Sequence, residues 1–305
     1  MSINAHQAAQ PQPSGRAYLL LTTTTLCWGA NAVFGRLAVG EISPMLLVSL
    51  RWLGAVLLML AFASQHVRRD WPTLRRHLPF LALMGAVGFT AFNALFYVAA
   101  HATTAVNIGI IQGSIPVFVL IGAFIAYRLP VTGLQLAGVA LTMIGVVIVG
   151  SGGSLERLAA LALNHGDLLM VIACTLYASY AVGLRRRPSV SSLGMFTVLA
   201  GSAFVFSVPL TAAEMMLGRL QWPTPTGWLI AGAVTLLPSF LAQIFFIQGV
   251  AMIGPARAGV FINLVPVFAS IMAVAFLGEP FEHFHALALG LVLAGIWLSE
   301  RSGRR

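Results

Sequence analysis

Arg51 interrupts an otherwise apolar run over 43–63. A guanidinium keeps its proton, so at membrane depth it must meet an anion such as a substrate carboxylate, or snorkel along its stem to the outer interface. Amides recur in similar settings: Asn31, Asn93, Asn107, Gln112, Gln243, Gln248 and Asn263 all lie within apolar stretches. Being neutral donors and acceptors, they suit a polar cavity for a zwitterion or a polar neutral solute; otherwise they join helices at about 0.6 kcal/mol per contact. Trp28, Tyr97, Tyr177 and Tyr180 add ring faces with polar edges, and Tyr177 and Tyr180, three apart, share a helix face. Such rings can gate a cavity, meet an apolar side chain or hold an ammonium group. Trp71, Trp222 and Trp228 read as interface anchors.

The expected substrate-binding set is therefore Trp28, Asn31, Asn93, Tyr97, Gln112, Tyr177, Tyr180, Gln243 and Asn263, with Arg51 as a carboxylate contact. Pro116 and Pro266 fall near the middle of apolar runs, where a proline removes a backbone hydrogen bond and bends the helix. The bends serve either static packing or gating. Gly109, Gly113, Gly122 and Gly259 read as sites of close helix approach. Asp167, Glu214, Glu279 and Glu282 lie near run ends, which gives no support to a midplane carboxylate relay and points to uniport. His101 reads as a loop histidine, and His283 and His285, two apart, fall on different helix faces. No phosphate-binding glycine loop, zinc-protease helix or nucleophile elbow is present, so no catalytic residue, metal or cofactor is expected.

These residues need elements that hold them in lipid. The chain is 59% hydrophobic and 8% charged, with a mean hydropathy of +0.91, too little polar material to cover a water-soluble globule. Apolar windows predict spans near 18–38, 43–63, 78–99, 103–127, 132–150, 167–184, 191–213, 227–250, 256–277 and 283–299. The runs are too long for the strands of a barrel, so the fold class is an all-α membrane protein of ten transmembrane helices. The net charge of +9 comes from arginines clustered between runs, such as Arg68, Arg69, Arg75, Arg76 and Arg185, Arg186, Arg187. Their placement reads as topology rather than nucleic-acid binding. With the N-terminus cytoplasmic, only Arg36, Arg157 and Arg219 fall on the opposite side, which puts both termini inside an inner membrane. Cys27 and Cys174 lie inside apolar segments, so no disulfide framework is expected.

The chain also resembles itself at a spacing of 150 residues. Gly109 then matches Gly259, Pro116-Val117-Phe118 matches Pro266-Val267-Phe268, Pro130 matches Pro280 and Gly145 matches Gly295. Five spans per copy reverse the second copy in the membrane, giving two inverted five-helix repeats. The expected divisions are a cytoplasmic tail 1–17, a first repeat 18–150, an outer linker 151–166, a second repeat 167–300 and a tail 301–305.

The segment 104–118 resembles the EamA repeat of the drug/metabolite transporter superfamily. So do Trp28-Gly29-Ala30-Asn31, Gly166-Asp167, Gly254-Pro255-Ala256-Arg257-Ala258-Gly259 and Leu277-Gly278-Glu279-Pro280. The first copy departs from that pattern at Tyr127-Arg128-Leu129-Pro130, where a Gly-Glu pair is usual. The resemblance implies a ten-span exporter of amino acids, aromatic ones included, or of other metabolites. Residues and resemblance together lead us to expect a self-contained monomer, not an enzyme, that exports a small organic solute across the bilayer by alternating access. A flippase for lipids or lipid-linked sugars, an exporter of purines or drugs, and a membrane-embedded enzyme are the alternatives. The last would need acids or histidines clustered at one interface.

Overall fold

The computed structural model describes residues 15–159 and 163–302. The expected tail over 1–14 and Arg304 and Arg305 lie outside them. Among the described residues there is no strand. The helices are α1 (Gly15–Leu37), α2 (Pro44–Arg76), α3 (Leu78–Ala100), α4 (Ala105–Gln112, resuming at Ile115–Tyr127) and α5 (Gly133–Gly150). After a short turn at Leu155–Ala159 come α6 (His165–Arg186), α7 (Ser192–Met216), α8 (Pro225–Ile253), α9 (Pro255–Ile262, resuming at Val265–Leu277) and α10 (His283–Ser302).

Eight of these, α2 to α9, are long and apolar enough to cross a membrane. α1 has the length, but Thr22, Thr23, Thr24, Thr25 and Asn31 dilute its hydropathy, and the apolar part of α10 covers only His283–Ser299. The protein is thus multi-pass, and the expected ten spans exceed what length and composition alone support.

The helix starts follow from local chemistry. Thr104, Asn164, Ser191 and Thr224 each accept a hydrogen bond from the backbone N–H three residues on, and Thr132 with Gln135 forms a reciprocal capping box. α2 runs past the expected end of its span, so Arg68, Arg69, Arg75 and Arg76 stand on a helical extension rather than in a loop. Arginine and leucine are good helix formers, and water solvates the polar turns.

Pro116 and Pro266 each follow a two-residue irregularity, at Gly113–Ser114 and Asn263–Leu264, where the backbone keeps right-handed helical angles but the ladder is interrupted, as expected just ahead of a proline that withholds its N–H. Two further irregularities recur in equivalent places. α3 carries a π-helical segment at Ala86–Ala91 and α8 another at Thr235–Leu241. Side chains bond carbonyls of both segments: Asn93 Nδ2 donates to Phe89 O, which also takes the Phe92 N–H, and Trp28 Nε1 donates to Pro238 O.

Helices pack where small residues allow. A Cβ on Gly138 of α5 would lie 2.4 Å from the Gly295 carbonyl oxygen of α10, and one on Gly109 of α4 2.4 Å from Ala269 Cβ of α9. α2 packs on α7, and both α1 and the first half of α4 pack on the second half of α9.

Candidate functional site

Arg51 lies where α1, α2 and α3 meet, only 6% exposed. Its Nη1 donates to Asn31 Oδ1 at 3.0 Å, to Asn93 Oδ1 at 2.7 Å and to the Tyr97 hydroxyl at 2.7 Å, and the Tyr97 hydroxyl also reaches Asn31 Oδ1 at 3.2 Å. The alternative of snorkelling to the interface is excluded, because the head group is held inward by three side chains from two other helices. Its Nε is buried with no partner. Among the described residues the ion pairs are Arg36 with Glu279 and Arg69 with Asp70, so no carboxylate neutralises Arg51.

Magnitudes show why this matters. Interhelical amide bonds contribute about 0.6 kcal/mol on average, whereas a buried ion carries a desolvation penalty of several kcal/mol. Three neutral acceptors solvate part of the guanidinium and leave its charge unbalanced. A carboxylate placed against Nε would supply both the missing acceptor and the missing charge.

An aromatic wall adjoins the charge. The Arg51 guanidinium carbon lies 5.3 Å from the Trp52 ring centre; Trp52 stacks on Phe89 at 4.8 Å, and Phe89 meets Tyr180 at 5.1 Å and Phe196 at 5.9 Å. Tyr177 joins through Tyr180 at 5.5 Å and Phe92 at 5.2 Å. The proximity of Tyr180 requires Gly88, since a Cβ there would lie 2.4 Å from the tyrosine ring.

Asn31, Arg51, Asn93 and Tyr97 thus come together, with Tyr177 and Tyr180 in the adjoining wall. Trp28 does not join them: its indole is bonded to α8 and its ring packs 5.3 Å from Phe246. Gln243 and Gln248 take no part in the Arg51 hydrogen bonds, and Gln112 and Asn263 flank the breaks in α4 and α9. Gln112 Oε1 is buried without a partner there.

Sequence reasoning missed a second polar assembly, at the junction of α3, α4, α6, α9 and α10. Glu279 takes the N–H groups of Ala105 and Val106, both at 2.9 Å, one on each carboxylate oxygen. Asp167, buried, accepts from the Thr103 hydroxyl and from Asn107 Nδ2, and His285 pairs with Asn107 Oδ1 at 3.0 Å. His285 Nδ1 accepts from the Glu282 backbone N–H, so its Nε2 carries the proton toward Asn107. Helix-end acids look solvent-exposed in a linear reading, and their partners lie far away in sequence. Among the described residues no group of histidines, cysteines or acids is arranged to hold a metal ion.

Known proteins give this arrangement a setting. The chain is 28% identical over 286 residues to the uncharacterized transporter YyaM of Bacillus subtilis, covering 92% of each chain. It is 25% identical to the uncharacterized inner membrane transporter YedA of Escherichia coli K12, covering 90% of this chain and 87% of that one. It is 27% identical to a probable terminal-alkyne amino-acid exporter of Streptantibioticus cattleyicolor, over 82% of each. A protein of known crystal structure, 20% identical, superposes with a TM-score of 0.64 over 95% of this chain and 98% of its own, a likeness of fold. The sequence profile of the EamA-like transporter family matches residues 15–151 and again 164–301. The chain therefore belongs to the EamA-like transporter family of the drug/metabolite transporter superfamily, and is a multi-pass membrane transporter.

Proposed function

We propose that this transporter exports small carboxylate-bearing metabolites, amino acids foremost, by alternating access and without a coupling ion. The observation that carries the reading is Arg51, a buried and permanently charged group with no carboxylate partner and an unused Nε donor. The adjoining wall of Trp52, Phe89, Tyr177 and Tyr180 suits an apolar or aromatic side chain, and its ring faces suit an ammonium group. The amino-acid exporter among the relatives supports the same class.

The architecture proposed for this transport is ten spans in two inverted five-helix repeats, a monomer in the inner membrane with both termini cytoplasmic. Supporting it are the twofold family match, the equivalent breaks at Gly113–Ser114 and Asn263–Leu264, and the paired π-helical segments of α3 and α8. The arginine distribution supports the orientation. An enzyme acting on lipid has less support, because the acids and histidine gathered near the start of α4 are engaged by Thr103, Asn107 and backbone N–H groups, with Asp167 and His285 buried.

The test is flux in liposomes that contain only the purified chain, against a panel of amino acids, their amides, purines, sugars and lipids. Free amino acids with apolar side chains should move and their amides should not. Arg51→Gln should cut flux about thirtyfold or more at equal expression, equivalent to losing ~2 kcal/mol of charge pairing. Near-normal flux in Arg51→Gln overturns the carboxylate role. Flux that follows an imposed proton gradient overturns uniport.

A further inference from the structure

The two halves of the molecule contain equivalent segments in unequal states. Ile110 of α4 and Val260 of α9 are 150 residues apart, yet Ile110 is 0% exposed and Val260 is 40% exposed. A Cβ on Gly109 would strike Ala269, whereas one on Gly259 would meet nothing within 4 Å. The first half of α4 packs on the second half of α9, and the first half of α9 has no comparable packing on the second half of α4 among the described residues. Among the described residues the start of α4 is thus closed on α9, whereas the start of α9 rests on α1 and α8, around Ala17, Leu21, Ile253 and Ala258, and is not closed on α4.

Glu279 supplies a chemical reason. It follows Gly278 at the end of α9 and binds the two N–H groups that open α4, where the helix dipole also favours a negative charge. Arg36 of α1 stands 3.7 Å from the same carboxylate and donates to the Ala100 carbonyl at the end of α3, which draws α1, α3, α4 and α9 together. The equivalent parts at the end where α9 begins are unable to do this. Leu129 replaces Glu279 and offers no acceptor, and Pro255 replaces Ala105 and offers no N–H. Tyr127, beside it, is instead tied to α6: its hydroxyl donates to Val182 O, and Arg185 and Arg186 lie over its ring at 5.0 and 5.5 Å.

We propose that Glu279 is a one-sided latch, a positioning residue of the transport cycle that closes one end of the path by capping α4. The opposite end has no counterpart and is the entrance of the resting protein. This rests on the reading of the chain as an alternating-access transporter. With both termini cytoplasmic the latch is extracellular and the open end faces the cytoplasm, the resting state an exporter needs for loading. Release then requires the Glu279 carboxylate to leave the Ala105 and Val106 N–H groups.

Thiol labelling tests the latch without any substrate. In a background of Cys27→Ala and Cys174→Ala, single variants Ile110→Cys and Val260→Cys are placed in lipid nanodiscs, where both faces meet the solution, and treated with a membrane-impermeant maleimide. The Val260→Cys thiol should react quickly and the Ile110→Cys thiol slowly. Adding Glu279→Gln, which removes the charge and presents an NH2 to one backbone N–H, should raise Ile110→Cys labelling by about tenfold or more, since each tenfold corresponds to ~1.4 kcal/mol. It should lower Val260→Cys labelling in parallel. Glu279→Asp keeps the charge and should preserve protection more nearly than Glu279→Gln. A merely structural role would loosen both sites together, and that result overturns the proposal, as do unchanged rates at both. Should Glu279→Gln fail to fold, Leu129→Glu with Pro255→Ala supplies the missing acceptor and donor, and must slow Val260→Cys labelling for the proposal to stand. If labelling switches while no carboxylate crosses the liposomes, the substrate reading fails and the latch survives.

Discussion

Asp70 and Glu214 cap each other's helices. Asp70, near the end of α2, accepts from the Ser191 N–H at the start of α7 at 2.7 Å. Glu214, near the end of α7, accepts from the Met45 and Leu46 N–H groups at the start of α2 at 3.4 and 3.3 Å. The exchange fastens the α2 and α7 pair at both ends, and Ser49 of α2, bonded to Ser207 and Thr211 of α7, adds a third tie between them. The α4 and α9 pair has such a cap at one end only. The first pair therefore has the construction of a frame, the second that of a moving part.

A frame contact should matter to stability and not to which end is open. Asp70→Asn and Glu214→Gln should each lower the thermal unfolding midpoint of the purified protein, Asp70→Asn by more because its hydrogen bond is the shorter. Neither should exchange the labelling order of the Ile110→Cys and Val260→Cys thiols. An exchanged order in either would show that α2 and α7 take part in opening.

Much of the frame was legible from sequence. Apolar runs located the helices, whereas the caps that fix where several begin, at Thr104, Asn164, Ser191 and Thr224, went unread in them. The partners of Arg51 were harder, because Asn31, Asn93 and Tyr97 come from two other helices and only packing makes them converge. The π-helical segments had only a weak local signal, Pro238 within Thr235–Leu241 and Gly88 within Ala86–Ala91, and neither residue specifies a π turn by itself. Least legible was the difference between Gly109 and Gly259. The two copies present nearly the same pattern, and which one is packed depends on the conformation of the whole bundle.

Arg128 shows a departure from the repeat with a measurable cost. It ends α4 in the left-handed region at φ 54°, where its counterpart Gly278 ends α9 at φ 64°. A residue with a Cβ pays about 1–2 kcal/mol for that conformation, and glycine returns part of the gain through its freer unfolded chain. Arg128→Gly should thus stabilise the protein by roughly 0.5–1 kcal/mol, read as a raised unfolding midpoint. A lowered midpoint would mean that the Arg128 side chain makes a contribution larger than the strain it imposes.

The paired glycines give the most direct test of whether the two ends exchange roles. Gly109→Ala puts a methyl group 2.4 Å from Ala269 Cβ, with no rotamer by which to escape, so α4 and α9 must part. Overpacking of this kind costs about 1–3 kcal/mol, which should lower the unfolding midpoint and expose the Ile110→Cys thiol. Gly259→Ala meets open space and should leave the midpoint within about 0.5 kcal/mol of the parent. Its effect should appear in transport. If the first half of α9 packs on the second half of α4 whenever the path opens at the Glu279 end, the added methyl must then sit against Val119, the counterpart of Ala269 and a bulkier residue. Flux through Gly259→Ala should fall while stability holds. Full flux in a fully stable Gly259→Ala protein would mean that Gly259 never enters a close interface, and that the two halves do not exchange states.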